Sequence, residues 1–94
     1  METVPTALSL RQAARAFKML GDEARLRLLL LLSERGPLCV SALGEAVGLS
    51  PPAVSHHLKL LRLAGLIGCR RDGQFNIYQL TDGWPRELLQ GLKP

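Results

Sequence analysis

The spacing of apolar residues along the chain predicts a protein built mainly from helices. The first apolar series repeats every three or four residues, as expected of one face of a helix. Its members are Leu10, Ala13, Ala14, Phe17 and Leu20. Ser9 precedes the series and Gln12 follows Ser9 by three positions, which is the spacing of a capping box. The pattern therefore predicts a helix that begins after Ser9.

Two longer helices are predicted further along the chain. Asp22 is a suitable N-cap for the second helix. Five successive leucines (28–32) cover every side of that helix and indicate that it is central and buried. Ser50 is the predicted N-cap of the fourth helix, and Pro51 takes the first helical position, where its missing N–H costs no hydrogen bond.

Glycines separate the predicted helices. Each follows a helical segment, where a residue in the left-handed conformation ends a helix at little cost. These glycines are Gly21, Gly36, Gly48 and Gly65. A short helix is predicted between Gly36 and Gly48, from about Ser41 to Val47, with Ser41 as its N-cap.

After the fourth helix, the apolar pattern changes to that of β-strands. The segments LIGCRR and QFNIYQL flank Asp72-Gly73, a dipeptide that favours a two-residue β-hairpin turn. An amphipathic stretch, Trp84–Leu92, predicts a last short helix, and residues 37–40 predict a short strand.

The third helix, the turn at 48–50 and the fourth helix have the spacing of a helix-turn-helix. A β-hairpin directly after this motif indicates a wing. We therefore predict a mainly α fold with a small β-hairpin wing, a winged helix-turn-helix of about five helices. Residues 9–94 are expected to form this single DNA-binding and dimerisation domain, preceded by a flexible N-terminal segment, 1–8.

Charge is concentrated in one third of the chain. The formal net charge is +4, and residues 50–80 hold four basic residues against one acidic residue. This distribution favours a polyanionic partner, and double-stranded DNA is the partner that fits a helix-turn-helix.

Other classes of protein are not indicated. METVPTALSLRQ lacks the basic start and long apolar core of a secretory signal, and the leucine run is too short to span a membrane. A cytoplasmic protein without membrane contact is expected. An enzyme is not expected, because the sequence shows no acid pair, nucleophile–base set or phosphate loop.

The fourth helix carries both histidines of the chain, side by side. Val54, His57, Leu58 and Leu61 share an apolar face, at i, i+3, i+4 and i+7. His56 points about 100° away from His57. A single metal ion held by both rings is therefore not expected. We predict that His57 packs in the core and that a polar partner contacts one of its ring nitrogens.

The opposite face of the fourth helix and the hairpin form the predicted DNA-binding surface. In a major groove, such side chains contact base edges and phosphates, and a wing reaches phosphates or the adjacent minor groove. The predicted DNA contacts are Ser50, Pro52, Ser55, His56, Lys59, Arg62, Arg70, Arg71 and Gln74.

Residues 17–80 resemble the ArsR/SmtB family of bacterial winged-helix repressors. The resemblance is carried by LGDEARLRLL, LCVSALGEAVGLS, VSHHLKLLRLAGLI and the Asp72-Gly73 wing. It implies a homodimer that reads an inverted repeat and is held together by the first and last helices. The interface residues that it implies are Leu10, Ala14, Phe17, Leu88, Leu89 and Leu92. An apolar face on a short terminal helix also favours a second copy as partner.

The chain departs from the metal-sensing members that it resembles. Arsenical sensors of the family carry two cysteines at the positions where this chain has Cys39 and Ser41. Zinc sensors of the family use Asp, His and Glu on the last helix, where this chain has Asp82 and Glu87 but no histidine. One soft ligand does not hold a metal ion, so no metal site and no cofactor are predicted. In the implied sheet, the strand after the wing separates Cys39 from Cys69, which argues against a disulfide.

Two alternatives stay open. The first is a metal- or thiol-responsive repressor that uses Cys39 or Cys69. The second is a winged-helix protein-interaction module without DNA binding, since Pro51 and His56 stand where family members often have glutamine and arginine. With fewer long polar side chains, direct contacts to base edges are weaker, so specificity depends more on DNA shape. His56 also introduces a pH dependence near neutrality.

Overall fold

The computed structural model describes residues 9–92 of the chain. The predicted flexible segment 1–8 lies outside the described residues, as do residues 93 and 94 of the predicted domain. The helices are α1 (Leu10–Leu20), α2 (Glu23–Arg35), α3 (Val40–Val47), α4 (Pro51–Leu63) and α5 (Trp84–Gln90). The strands are β1 (Leu38–Cys39), β2 (Ile67–Asp72) and β3 (Phe75–Leu80). This mainly α architecture with a β-hairpin confirms the predicted winged helix-turn-helix fold.

Side-chain caps start three of the helices where the sequence predicts. Ser9 Oγ accepts the backbone N–H of Gln12 at 3.1 Å, and Gln12 Oε1 accepts the N–H of Ser9 at 2.9 Å. Asp22 Oδ1 accepts the N–H three residues later at 3.0 Å. Ser50 Oγ makes the equivalent bond at 3.4 Å. These bonds satisfy N–H groups that have no partner within their helix.

The prediction of Ser41 as the N-cap of α3 is wrong. Cys39 is the cap residue, and α3 begins directly after it at Val40. The reason is tertiary, because Cys39 ends β1, pairs with Ile77 of β3, and is held extended with φ −86° and ψ 168°. Ser41 lies within the first turn of α3 instead, with its Oγ 3.3 Å from Cys39 Sγ.

One of the four predicted left-handed helix ends is also wrong. Positive φ is found, as predicted, at Gly36, Gly48 and Gly65. Gly21 has φ −75°, and its N–H bonds to the carbonyl oxygen of Phe17 at 3.0 Å. Helical hydrogen bonding therefore continues through Gly21, and the chain turns at the extended N-cap residue Asp22.

The hairpin turns one residue later than the sequence predicts. Asp72 pairs with Phe75, so Gly73 and Gln74 form the two-residue turn. Gly73 has φ 62°, and among residues 9–92 no residue other than glycine has positive φ. Positive φ at the first central position alone is the pattern of a type II′ turn, in which glycine is favoured at that position.

The core surrounds α2, as its run of leucines predicts. Leu28, Leu29 and Leu32 are buried, and α1 packs against α2 through Ala16 and Met19. The remaining buried apolar residues come from α3, α4, the end of the hairpin and α5. They are Leu43, Val54, Leu58, Leu61, Leu66, Ile67, Leu80 and Leu89. No helix within residues 9–92 has both the length and the hydropathy needed to cross a bilayer.

The antiparallel sheet has the order β1-β3-β2. β3 therefore lies between Cys39 on β1 and Cys69 on β2, as the family resemblance implies. Strands two positions apart are separated by about 9.5 Å, whereas a disulfide needs Cα atoms within about 7 Å. The sheet thus excludes a disulfide between these two residues of one chain.

We predict that Leu58→Ala lowers the free energy of unfolding by about 2–5 kcal/mol, because it removes a fully buried side chain from the core. Leu63→Ala on the same helix is the matched control. Its side chain is 66% exposed, and a loss below about 0.5 kcal/mol is expected. Urea denaturation at one protein concentration measures both values, and equal losses would contradict the assigned faces of α4.

Candidate nucleic-acid interface

Helix α4 has one buried and one exposed face, as predicted from its sequence. Val54, Leu58 and Leu61 are fully buried, whereas the predicted DNA contacts of this segment are all exposed. These exposed residues are Ser50, Pro52, Ser55, His56, Lys59 and Arg62. The helix therefore presents a continuous polar and basic surface, and contact of this surface with DNA stays a prediction.

His57 is half-buried and contacts Arg25 of α2. Arg25 Nη1 lies 3.4 Å from His57 Nδ1, and because a guanidinium only donates, Nδ1 is the acceptor. The same arginine donates through Nε to the carbonyl oxygen of Met19 at 3.3 Å and lies 3.8 Å from the Asp22 carboxylate. The predicted polar partner of the ring is therefore a residue 32 positions away, which sequence spacing does not reveal.

The cap at Asp22 is linked to this contact. The backbone N–H of Arg25 is the largest cause that lowers the pKa of Asp22; burial of the carboxylate opposes it, and the positive charge of Arg25 lowers the pKa further. The start of α2 and the middle of α4 are thus joined by one chain of polar contacts.

The two histidine rings do not face a common ligand. Their centroids lie 6.0 Å apart with the planes tilted by 54°. In the part of the chain that the structure describes, no three His, Cys, Asp or Glu side chains lie together as a metal site requires. Asp82, one of the two acidic residues considered for zinc, has its carboxylate 3.6 Å from Arg86.

The wing presents its two arginines on opposite faces of the sheet. Arg71 is opposite Asn76 in the register and Arg70 is opposite Ile77, and successive side chains alternate between faces. Arg71 Nε donates to the carbonyl oxygen of Gly73 at 2.9 Å, which holds this side chain at the turn. Both arginines and Gln74 are exposed. Arg70 lies 3.9 Å from the carboxylate of Asp72.

A groove of about 280 Å³ separates the exposed face of α4 from the wing. Its lining residues are Ser55, Lys59, Arg62, Leu63 and Tyr78. Tyr78 is not among the contacts predicted from the sequence, because only the folded sheet brings β3 beside α4. Burial is the largest cause that raises the pKa of Tyr78, Cys69 raises it further, and Arg62 opposes both. The phenol is therefore protonated, and a hydrogen-bond donor, at neutral pH.

Cys39 lies at the start of α3, the first helix of the helix-turn-helix. The hydrogen bond with Ser41 is the largest cause that lowers the pKa of the Cys39 thiol, and the N–H of Ala42 lowers it further. A thiol of this kind is more reactive at neutral pH, because the thiolate is the nucleophilic form.

Helices α1 and α5 both pack against α2 and present apolar side chains to solvent. Leu10 is 88% exposed and Phe17 66% exposed. Ala14, Leu88 and Leu92 are also exposed. Leu89 departs from the prediction of an interface residue, because it is only 2% exposed and belongs to the core of its own chain.

Comparison with known proteins agrees with this architecture. Residues 22–68 match the family described as bacterial regulatory protein, arsR family. The chain is 37% identical over 79 residues to an HTH-type transcriptional regulator of Methanocaldococcus jannaschii, MJ1325, covering 84% of this chain and 89% of that protein. It is 48% identical over 69 residues to the arsenical resistance operon repressor of Escherichia coli, covering 73% of this chain and 59% of that protein.

A solved structure shares the fold. The homodimeric winged helix-turn-helix DNA-binding domain of Mb0332 from Mycobacterium bovis, a possible ArsR-family regulator, superimposes with a TM-score of 0.82 at 30% identity. The match covers 96% of this chain and 84% of that one. The family and the relatives named are transcriptional regulators and not enzymes. The chain therefore belongs to the ArsR family of winged helix-turn-helix transcriptional regulators.

Proposed function

We propose that the chain is a sequence-specific DNA-binding repressor that acts as a homodimer, through the 51–64 helix and the 66–80 wing, without a metal site. The observation that carries this proposal is the division of α4 into a buried apolar face and an exposed basic face beside a cationic wing. The cytoplasm, where a bacterial chromosome lies and thiols stay reduced, is the compartment in which we expect it to act.

The exposed groups of α4 suit readout of a major groove. Ser55 and His56 present short donors and acceptors to base edges, and Lys59 presents a cation to a guanine or a phosphate. Arg71 at the turn of the wing suits a phosphate or a minor groove. Ser55 and His56 are short side chains for base contacts, so sequence-dependent DNA shape contributes to specificity.

The side chains at the positions considered for a metal support repression without a metal ion. Metal sites in proteins use several converging thiolate, imidazole or carboxylate ligands. Cys39 has a serine as its neighbour in place of a second thiol, and Asp82 is close to an arginine. We therefore expect that zinc and arsenite do not change the affinity for DNA.

We predict that the double variant Lys59→Ala, Arg71→Ala lowers DNA affinity severely. Removal of one phosphate contact reduces the slope of log K against log salt by about 0.9. The full chain is used to select duplexes from a random pool, and the enriched duplex is titrated at several salt concentrations by fluorescence anisotropy.

The variant Arg15→Ala, Arg35→Ala is the control for this experiment. It removes the same charge at exposed positions outside α4 and the wing, and affinity close to wild type is expected. If both double variants bind equally well, the positive charge acts without a defined surface and the DNA-binding assignment fails.

A homodimer is supported by the apolar side chains that α1 and α5 leave exposed, because monomeric proteins rarely present such a surface without a partner. We predict that Phe17→Asp produces a monomer, since it places a charge within the proposed interface. Phe75→Asp changes the other phenylalanine, which is 51% exposed on the wing, and should keep the dimer. Sedimentation equilibrium measures the mass, and a dimeric Phe17→Asp variant would refute this interface.

A thiol-responsive repressor is a second candidate, favoured by the lowered pKa of Cys39 at the start of α3. Iodoacetamide is the probe: the thiolate attacks its methylene carbon, an S–C bond forms and iodide leaves. If the candidate is correct, alkylation releases DNA from wild type and from Cys69→Ser but not from Cys39→Ser. If alkylation, arsenite and zinc all leave DNA bound in wild type, the candidate is excluded.

A further inference from the structure

The groove between α4 and the wing is lined by hydrogen-bond donors. Lys59 and Arg62 contribute two cations, and Ser55 and Tyr78 contribute hydroxyl groups. No carboxylate lines the groove, and neither cation is paired with a carboxylate of residues 9–92. Unpaired cations beside neutral donors are the groups that bind phosphate oxygens in protein–DNA interfaces.

Duplex geometry places a phosphodiester strand at this groove. A major groove and the minor groove next to it are separated by a single sugar–phosphate strand. If α4 lies in the major groove and the wing reaches the adjacent minor groove, that strand passes between α4 and the wing. The space between these two elements is the groove that Tyr78 and Arg62 line.

The sheet extends the same surface toward the tip of the wing. Tyr78, Asn76 and Arg71 lie on one sheet face, because Asn76 is opposite Arg71 in the register and is two residues from Tyr78 on β3. Arg70 lies on the other face, near Asp72. A strand held in the groove would therefore meet Arg71 next, and not Arg70.

Leu63 completes the rim of the groove with an apolar surface. Its side chain is 66% exposed at the end of α4. A deoxyribose is the largely apolar part of the backbone that follows each phosphate, and it matches such a side chain. The lining thus combines ionic, neutral polar and apolar groups, as one strand of DNA does.

We propose that this groove holds one phosphodiester strand of the operator, with Arg62 and Lys59 as its cations and Tyr78 as a neutral donor to a phosphate oxygen. The inference rests on the proposed DNA-binding function and deepens it, since it adds Tyr78 to the interface. It also predicts that Arg62 contacts the DNA backbone and not a base.

Two variants separate the neutral donor from the cation. Tyr78→Phe keeps the ring and removes one hydroxyl, so it should weaken binding of the selected duplex about tenfold without changing the salt slope. Arg62→Gln should weaken binding and also reduce the slope by about 0.9 for one phosphate that is no longer neutralised. Arg15→Gln is the matched control for charge and should leave both affinity and slope unchanged. Thermal unfolding of each variant shows whether the fold is retained.

A scan with methylphosphonates locates the contact on the DNA. Each phosphate of the selected duplex is replaced in turn by a neutral methylphosphonate, and binding of wild type and Arg62→Gln is compared. The inference expects one phosphate in each half-site, on the strand between the two grooves, whose replacement weakens wild type but not Arg62→Gln. The scan remains decisive if Tyr78→Phe is unstable.

The experiments distinguish an error in the groove assignment from an error in the proposed DNA-binding function. If wild type selects no duplex, the proposed function fails and the inference fails with it. If wild type binds DNA but the scan finds no phosphate whose effect depends on Arg62, the groove assignment is overturned while DNA binding stands. If a folded Tyr78→Phe variant binds as wild type, the role of Tyr78 is overturned.

Discussion

Burial of Val54, Leu58 and Leu61 holds α4 against the core, and the polar side chains of α4 that are proposed to contact DNA take their direction from that packing. Burial of each of these side chains favours folding by about 1.5–3 kcal/mol relative to an exposed position. Because successive residues of a helix point about 100° apart, fixing this face also fixes the exposed one. Rotation of α4 would bury its cations, which is costly.

The distance between α3 and α4 depends on a glycine. A Cβ atom at Gly44 would lie 3.2 Å from Val54 Cγ2 and 3.2 Å from the carbonyl oxygen of Leu49. The two helices of the helix-turn-helix therefore approach more closely than any residue with a side chain would permit without a shift. Gly48, with φ 71°, turns the chain between them. The close contact at Gly44 and the left-handed backbone at Gly48 thus determine how α4 is placed against α3.

The features that the sequence predicts correctly depend on neighbouring residues. The caps at Ser9, Asp22 and Ser50 and the two faces of α4 are local, because each involves residues within one or two helical turns. The features that the sequence does not predict depend on contacts between residues distant in the chain. The cap at Cys39 follows from pairing between β1 and β3, and the partner of His57 comes from another helix.

In the candidate site, too, local features are predictable from the sequence and tertiary ones are not. The positions of the exposed residues on α4 and the wing follow from helical and strand periodicity. The presence of Tyr78 in the groove does not, since it requires the strand register and the packing of the sheet against α4. The family resemblance implies that Leu89 lies in the interface with Leu88 and Leu92, yet α5 packs on α2 and the side chain of Leu89 is buried in its own chain.

The strand order leaves β2 with a free outer edge among residues 9–92, since it pairs with β3 alone. An exposed edge strand offers unpaired backbone groups to any other extended chain and is a common start of aggregation. Here the outer half of that edge carries Arg70, Arg71 and Asp72. Charged side chains at an edge oppose strand addition. The two arginines that we propose as nucleic-acid contacts therefore also oppose pairing between the sheets of separate molecules.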